Sequence, residues 1–342
     1  MKKIVYVGNI PIGQGNIVIQ SMTNTKTSNI IETVNQINDL VENGCELVRI
    51  AVKDMDDALS ISKIKSLIKC PLIADIHFDY KLAIESIRQG IDKIRINPGN
   101  MPIEHLTAII NECKINNTPI RIGVNSGSLS KDLIEKYGVS SKALIEEMKR
   151  EIKVFEKLNY KNLVLSIKAT DINMFIDANR KLAKLYDYPI HIGLTESGTL
   201  LTGSIRSSYA LGTLLNENIG DTIRVSLTGN PLNEIKSAKE ILKMFNKYNG
   251  PTLISCPTCG RCEYDMVNII SKIEPLLDKI NKPIKVAIMG CIVNGIGEGK
   301  EADLGIAGGK NQAVIFRKGE IIQKVNEENI IEEFTKILNE YK

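Results

Sequence analysis

The chain has 342 residues, of which 43% are hydrophobic and 25% charged, and its net charge at neutral pH is +4. These values are ordinary for a folded protein in water, and so small a positive excess excludes a general nucleic-acid-binding surface. No apolar run is long enough to cross a bilayer and the first residues lack the apolar region of a signal peptide, so we expect a cytoplasmic protein without a membrane partner.

Eight short apolar runs occupy the first two thirds of the chain, and each is followed by a segment with helical periodicity. The runs are rich in Ile, Val and Leu without regular alternation, which is typical of parallel strands buried on both faces. Eight such repeats predict an α/β fold, the TIM (β/α)8 barrel. The predicted strands are 17–20, 46–52, 71–77, 93–98, 119–125, 163–169, 189–195 and 221–227.

Two features of the connections complete this prediction. The connection 129–159 is longer than the others and predicts a short extra helix before the fifth barrel helix. The eighth helix, 232–248, ends at Asn249-Gly250-Pro251, which is typical of a helix stop and predicts a domain boundary. Because the chain is long for one hydrophobic core, we expect a substrate-binding barrel domain at 1–248 and a smaller domain at 249–342.

The second domain has a mixed pattern that predicts an α+β fold. Its elements are a helix near 264–280, a strand at 285–289, a glycine-rich segment at 291–309, a hairpin turning at Lys318-Gly319, and a last helix at 327–341. Four of the seven cysteines of the chain lie in this domain. We therefore expect its function to depend on them.

Most of the predicted strands carry a charged or polar side chain within or just after the apolar run. The carboxyl ends of TIM-barrel strands form the mouth where ligands bind, and buried cations are costly without an anionic partner. Guanidinium groups match phosphate oxygens, so the set as a whole predicts a phosphate-rich ligand. The side chains are Arg49, Asp75, Arg95, Asn97, Arg121, Asn125, Lys168, Glu196, Arg224 and Ser226.

Two alternatives stay open for these side chains. Any single arginine could instead form a structural ion pair with Asp75 or Glu196. His77 follows Asp75 by two positions and is placed for the mouth, but a histidine there is equally compatible with a hydrogen-bonding core role.

The cysteines of the second domain have metal-binding spacing. Cys256, Cys259 and Cys262 lie three positions apart in a turn-rich segment, Cys291 follows on a separate loop, and Glu298 lies seven residues further on. The pattern predicts a metal centre, either Zn²⁺ or an iron–sulfur cluster, with the four thiolates as the commoner ligand set. Spacing does not decide between the metals.

Eight short motifs, distributed from Val5 nearly to the C-terminus, are specific to one family. They are YVGNIPIG at 6–13, QSMTNT at 20–25, ADIHFDY at 74–80, RINPGN at 95–100, RIGVNSGSL at 121–129, IRVSL at 223–227, CPTC at 256–259 and GCIVNG at 290–295. The chain resembles the bacterial 4-hydroxy-3-methylbut-2-enyl diphosphate synthases, in the short two-domain form.

The resemblance implies an oxidoreductase of the non-mevalonate isoprenoid pathway. The reaction would be the reductive ring opening of 2-C-methyl-D-erythritol 2,4-cyclodiphosphate, with electrons from reduced flavodoxin or ferredoxin. A [4Fe-4S] cluster would be held by Cys256, Cys259, Cys291 and Glu298, with the carboxylate as a catalytically exchangeable ligand. Cys262 departs from the family pattern, which requires no cysteine there.

The resemblance also implies roles at the barrel mouth. Glu196 becomes the catalytic acid–base residue. We expect a head-to-tail homodimer in which each cluster domain caps the barrel of the other subunit, because the eighth helix ends on the face opposite the mouth. The implied substrate-binding residues are Arg49, Asp75, His77, Arg95, Arg121, Asn125, Lys168, Arg224 and Ser226.

Two other classes of protein are alternatives to this interpretation. One is a barrel hydrolase or transferase acting on phosphates, with a structural zinc ion in its second domain. The other is a radical S-adenosylmethionine enzyme, whose usual Cys-x₃-Cys-x₂-Cys loop lies inside the barrel. Here the cysteines follow the barrel with x₂ spacing, which counts against the second class.

Overall fold

The computed structural model describes residues 2–77 and 79–341, so Met1, Lys342 and Phe78 of the 74–80 motif lie outside the described residues. The chain divides into two compact units, Met1–Lys247 and Tyr248–Lys342. Among the described residues, no helix has both the length and the apolar character needed to cross a membrane.

The first unit begins with a hairpin that the sequence pattern does not predict. Strands β1 (Val5–Val7) and β2 (Ile10–Ile12) pair antiparallel. Val7 and Ile12 form one buried cluster with Val18, Leu47 and Ile73, near the start of three barrel strands. The hairpin therefore covers the N-terminal face of the barrel.

Eight parallel strands form the barrel, and the predicted fold class is confirmed. Their order in the sheet is β8-β7-β6-β5-β4-β3-β10-β9, and a parallel bridge between Leu165 and Ile190 joins the two ends. The strands are β3 (Val18–Met22), β4 (Leu47–Ala51), β5 (Leu72–Asp75), β6 (Lys93–Ile96), β7 (Ile120–Asn125), β8 (Leu163–Lys168), β9 (His191–Ile192) and β10 (Thr222–Ile223).

Helices of the first unit follow the strands in the predicted alternation. The short α5 is the predicted extra helix, and α6 is the fifth barrel helix. The helices are α1 (Ile30–Glu42), α2 (Met55–Leu67), α3 (Tyr80–Arg88), α4 (Ile103–Asn116), α5 (Lys131–Tyr137), α6 (Ser141–Lys157), α7 (Ile172–Leu185), α8 (Leu200–Asn216) and α9 (Leu232–Met244).

Strand register brings the polar side chains of adjacent strands to one level. Arg95 of β6 is paired with Asp75 of β5 on one side and with Arg121 of β7 on the other. Because side chains alternate between the two faces of a strand, these three side chains point to the same side of the sheet. Their arrangement follows directly from the strand pairing.

The second unit is an α+β sheet domain, as predicted. Its five strands have the order β11-β12-β13-β14-β15, in which β11 to β13 are parallel and the last two pairings are antiparallel. The elements are β11 (Thr252–Ser255), α10 (Met266–Leu277), β12 (Lys285–Met289), α11 (Ile292–Glu298), β13 (Leu304–Gly309), β14 (Gln312–Arg317), β15 (Glu320–Asn326) and α12 (Ile330–Leu338).

The glycine-rich segment 291–309 contains α11 and β13. Its glycines permit close packing: a Cβ on Gly295 would lie 2.6 Å from Met289 Cβ, and one on Gly305 only 2.2 Å from Phe316 Cζ. The predicted hairpin turn is present, and both Lys318 and Gly319 have positive φ, as a two-residue hairpin turn requires.

Candidate active site

A cavity of about 220 Å³ lies at the carboxyl ends of the barrel strands. The strand alternation directs all nine predicted substrate-binding side chains into it, together with Gly123, Ser166 and Thr195, which the sequence pattern did not single out. Their placement is a structural fact, and their contact with a substrate stays a prediction. The nine are Arg49, Asp75, His77, Arg95, Arg121, Asn125, Lys168, Arg224 and Ser226.

Asp75 is surrounded by cationic and imidazole groups. Its carboxylate oxygens lie 3.1 Å from Arg95 Nη1, 3.8 Å from Arg49 Nε and 3.5 Å from His77 Nε2. Burial alone raises the pKa of Asp75, but Arg49, His77 and Arg95 together hold that pKa well below its usual range. Asp75 is therefore ionised and fixes both arginines in the cavity.

Arg224 is held by a carboxylate that the sequence pattern missed. Glu234 Oε2 accepts from Arg224 Nε at 3.1 Å, Oε1 accepts from Nη2 at 3.1 Å, and Ser21 Oγ also donates to Oε2 at 2.8 Å. Glu196 does not take this role. An acidic residue in the first turn of the helix after the eighth strand was the available signal for Glu234.

The positive charges of Arg121 and Lys168 are less well compensated by carboxylates. Arg121 is 1% exposed, and its Nε and Nη1 atoms have no hydrogen-bond partner among the described residues. Burial, followed by the charge of Arg49, lowers the pKa of both Arg121 and Lys168 well below the usual values. The five cations of the cavity thus meet two carboxylates, Asp75 and Glu234, within the described part of the chain.

Glu196 lies just outside the cavity lining. It is exposed and follows Thr195, and its Oε2 accepts a long hydrogen bond of 3.4 Å from Thr170 Oγ1. Its φ is +52°, a left-handed conformation that a glutamate adopts only at a cost in free energy. Strained residues of this kind concentrate at functional sites, which supports the predicted catalytic role.

Replacing Glu196 by asparagine should separate stability from activity. Asparagine tolerates the left-handed conformation, so we expect Glu196→Asn to raise the free energy of unfolding by about 0.5–1 kcal/mol. Loss of the carboxylate should lower kcat about 100-fold or more, as expected for a general acid–base residue. Denaturant unfolding and steady-state kinetics check the two effects. An unchanged kcat would show that Glu196 is not the acid–base residue.

In the second unit, two cysteines near Gly290 differ in hydrogen bonding. The backbone N–H of Gly290 donates to Cys256 Sγ at 3.0 Å, whereas Cys262 Sγ donates to the carbonyl oxygen of Tyr264 at 3.3 Å. A sulfur that accepts from an amide has the hydrogen-bonding arrangement of a metal-ligating sulfur, whereas the Cys262 thiol is engaged by a carbonyl oxygen. Cys259 is exposed.

Helix α11 places the other two predicted ligands. Cys291 is its N-cap residue and Glu298 its last residue. Seven positions amount to almost two full turns, so the two residues lie on the same face, about 10 Å apart along the axis. Helical side chains tilt toward the N-terminus, which directs Glu298 back toward Cys291.

Within the described residues, the predicted donor set does not converge on one point. Among the described residues, no three His, Cys, Asp or Glu side chains converge as they do around one metal ion. A tetrahedral zinc site requires such convergence, because all of its ligands contact one atom. In a [4Fe-4S] cluster each protein ligand binds a different iron, so wider spacing among three thiols and a carboxylate is acceptable.

A closed barrel with a cation-rich mouth, followed by a cysteine-bearing α+β unit, defines a two-domain enzyme of the TIM-barrel class. The description "GcpE TIM-barrel domain" matches residues 2–239, and "GcpE protein C-terminal domain" matches residues 252–340. The chain belongs to the GcpE family. The predicted family and the predicted class, an oxidoreductase of isoprenoid biosynthesis, are confirmed.

Curated relatives agree over nearly the whole chain. The chain is 51% identical to a protein of Clostridium acetobutylicum, over 96% of this chain and 94% of that one. It is 52% identical to a protein of Clostridium perfringens, over 98% and 97%, and 50% identical to one of Halalkalibacterium halodurans, over 97% and 92%. All three are named 4-hydroxy-3-methylbut-2-en-1-yl diphosphate synthase (flavodoxin).

Distant solved structures share the barrel fold. A type I 3-dehydroquinate dehydratase from Clostridium difficile superposes with a TM-score of 0.54 at 15% identity, covering 72% of this chain and 99% of that one. A dihydropteroate synthase from Stenotrophomonas maltophilia gives 0.53 at 15% identity, covering 71% and 97%. At this identity the likeness supports the fold alone.

Proposed function

We propose that the barrel unit binds 2-C-methyl-D-erythritol 2,4-cyclodiphosphate and that the enzyme opens its ring reductively to 4-hydroxy-3-methylbut-2-enyl diphosphate. The observation that carries the proposal is the excess of buried cations over carboxylates in the cavity. A diphosphate supplies the missing negative charge, and arginine forks match its oxygens. The printed name of the relatives agrees with this product.

The cavity residues have different roles in substrate binding. Arg49 and Arg95 are fixed by Asp75, and Arg224 by Glu234, so these three guanidinium groups are oriented before the substrate arrives. Arg121 and Lys168, which form no ion pair with a carboxylate among the described residues, are assigned to the phosphate oxygens. Asn125, Ser226 and His77 supply further hydrogen-bonding groups at the rim.

A proton is needed as well, because the departing hydroxyl group of the substrate leaves as water. Glu196 is assigned to deliver it. Its exposure beside the cavity allows it to take up another proton from solvent after each turnover.

The second unit is assigned to electron supply. Cys256, Cys259, Cys291 and Glu298 would hold a [4Fe-4S] cluster, which supplies single electrons that no side chain can deliver. Carboxylate is a more exchangeable iron ligand than thiolate, and the exposed position of Glu298 leaves room for exchange. The electron donor is reduced flavodoxin, in keeping with the name of the relatives. Ferredoxin is the alternative donor.

The proposal is tested under anaerobic conditions. Purified protein should contain iron and sulfide and should convert the cyclodiphosphate to hydroxymethylbutenyl diphosphate when reduced flavodoxin is present. Omitting the reductant is the matched control. Release of inorganic phosphate without any reductant, together with zinc in place of iron, would support the rival hydrolase.

The assembly proposed for this reaction is a head-to-tail homodimer. Helices run antiparallel to the strands of their barrel, so α9 ends at the face opposite the cavity. Residues 245–251, which precede β11, span about 25 Å at most when fully extended. A path around the helical ring to the mouth of the same barrel is longer than this, whereas a two-fold axis lets each second unit serve the other subunit.

Mixing two inactive variants tests this assembly. Glu196→Ala and Cys291→Ala should each be inactive alone, but exchanged dimers should recover up to roughly a quarter of wild-type activity, since half are hybrids with one intact pair of sites. Native mass spectrometry verifies the exchange. Verified hybrids without activity would exclude catalysis across the two subunits.

A further inference from the structure

A second cavity of about 210 Å³ adjoins the substrate cavity. Gly123 of β7 lines both. A Cβ at Gly123 would lie 3.1 Å from Asn97 Oδ1 and 3.3 Å from Arg95 Nε, so only a thin wall separates the two. Asn97 lines the second cavity and is 8% exposed, and its Oδ1 has no hydrogen-bond partner among the described residues.

Two glutamates of α6 line this second cavity, and each contacts a loop at the barrel mouth. Glu147 accepts from both the backbone N–H and the hydroxyl of Ser130, each at 2.9 Å, in the connection after β7. Glu151 accepts from the backbone of Gly99, in the turn after β6. We call Glu147 and Glu151 the glutamate pair.

The glutamate pair is buried; Arg150, on the same helix, interacts electrostatically with Glu147 but forms its ion pair with Asp132. Both residues are 6% exposed, and neither forms an ion pair within the described part of the chain. Lys131 is the other charged residue of the lining; it is exposed and bonds to neither carboxylate. Asn97 and Gly99, in the turn after β6, and Gly123 of β7 line the same cavity and carry no charge.

Two carboxylates one helical turn apart in a buried site cannot both stay ionised at low cost. A carbon at the Cβ position of Gly99 would lie 2.6 Å from Glu151 Oε1 and 3.6 Å from Glu147 Oε1, so both carboxylates approach the same point. Burial, followed by the charge of Glu147, raises the pKa of Glu151 to about 7.

We propose that Glu147 and Glu151 act as positioning residues for the mouth of the barrel, and that a proton on Glu151 at neutral pH keeps the two carboxylates from repelling each other. That proton lets both carboxylates stay at their loops. The loop after β6 follows Arg95 and Asn97, and the loop after β7 follows Arg121 and Asn125, so the pair sets the spacing of two adjacent substrate-binding strands. Removing the proton makes the pair repel and separates the two loops. This role rests on the proposed function, which places the substrate at those strands.

Infrared difference spectroscopy of the intact protein, with ¹³C-labelled glutamate, tests the proton on Glu151 without relying on activity. We expect the carbonyl stretch of a protonated carboxyl group to titrate near neutral pH in the wild type and in Glu104→Gln, an exposed control on α4. The band should be absent from Glu151→Gln. A wild type without such a band, or an unchanged band in Glu151→Gln, overturns the proposal even if the enzyme has another substrate.

Kinetics test the positioning role. Glutamine at 151 resembles the protonated acid at every pH, whereas the wild type loses the proton as the pH rises. The ratio of the wild-type KM to the Glu151→Gln KM should therefore rise about fivefold from about pH 6 to about pH 8.5. The ratio of the two kcat values should stay constant. Any effect of substrate ionisation on KM is the same for both proteins and cancels in the KM ratio. Glu147→Gln, which removes the neighbouring charge, should shift the wild-type transition to lower pH. A pH-independent KM ratio refutes the positioning role.

Discussion

Replacing Cys291 by serine should remove most of the iron from the protein and abolish turnover. Cys291 is the N-cap residue of α11 and one of the four predicted cluster ligands. A serine hydroxyl is a poor ligand for the iron of a cluster, so we expect a loss of activity of about 100-fold or more. Iron and sulfide analysis of anaerobically purified Cys291→Ser, beside the steady-state rate, makes the measurement.

Cys262→Ser is the matched control in the same domain. The Cys262 thiol donates to the carbonyl oxygen of Tyr264, a bond that a serine hydroxyl can reproduce, so this variant should keep its iron and its activity. Iron loss from Cys262→Ser would instead support the four-thiolate ligand set that the spacing alone favours. Iron retained in both variants would exclude Cys291 as a ligand.

Replacing Arg121 by methionine should stabilise the ligand-free protein and weaken substrate binding at the same time. The guanidinium group is buried and two of its nitrogens lack partners, so exchanging it for an apolar chain of similar length should raise the free energy of unfolding by about 1–3 kcal/mol. Loss of a charge-assisted bond to phosphate should raise the dissociation constant of the substrate about 10- to 100-fold. Chemical denaturation and calorimetric titration measure the two quantities.

A gain in stability together with a loss of substrate affinity distinguishes a binding arginine from a structural one. Arg206→Met, at an exposed position of α8, is the control and should change neither quantity appreciably. A less stable Arg121→Met protein would mean that Arg121 supports the empty barrel. Unchanged affinity would remove Arg121 from the binding site.

Much of the barrel can be predicted because the hydrophobic content of a strand, and the opposite directions of its successive side chains, are local properties of the sequence. Arg95 and Arg121 stand in short apolar strands, so both their depth and their direction follow from the pattern. The short β9 and β10 show the limit, since the predicted runs 189–195 and 221–227 are much longer than the observed two-residue strands. Paired backbone there depends on barrel closure, which is not a local property.

Residues that act through tertiary contacts are harder to predict. Glu234 and Glu151 lie on helices whose sequence shows ordinary acidic positions, and only the packing of α9 and α6 against the strand ends shows what those carboxylates contact. Glycine was misleading for a related reason. Gly295 and Gly305 resemble turn residues in sequence. They are required because a Cβ at either position would collide with Met289 or with Phe316, and the sequence pattern does not show these contacts.

The hairpin β1–β2 has a consequence for synthesis on the ribosome. It emerges before the barrel strands, but the residues just before it find their partners late: Lys2 Nζ lies 2.7 Å from Asp221 Oδ2, and the Lys3 backbone N–H donates to Asp187 O at 2.8 Å. These partners emerge only when β9 and β10 are being made. The segment that holds Lys2 and Lys3 must therefore wait until these two partners have been made, whereas Val7 and Ile12 can join their buried cluster once Ile73 has emerged.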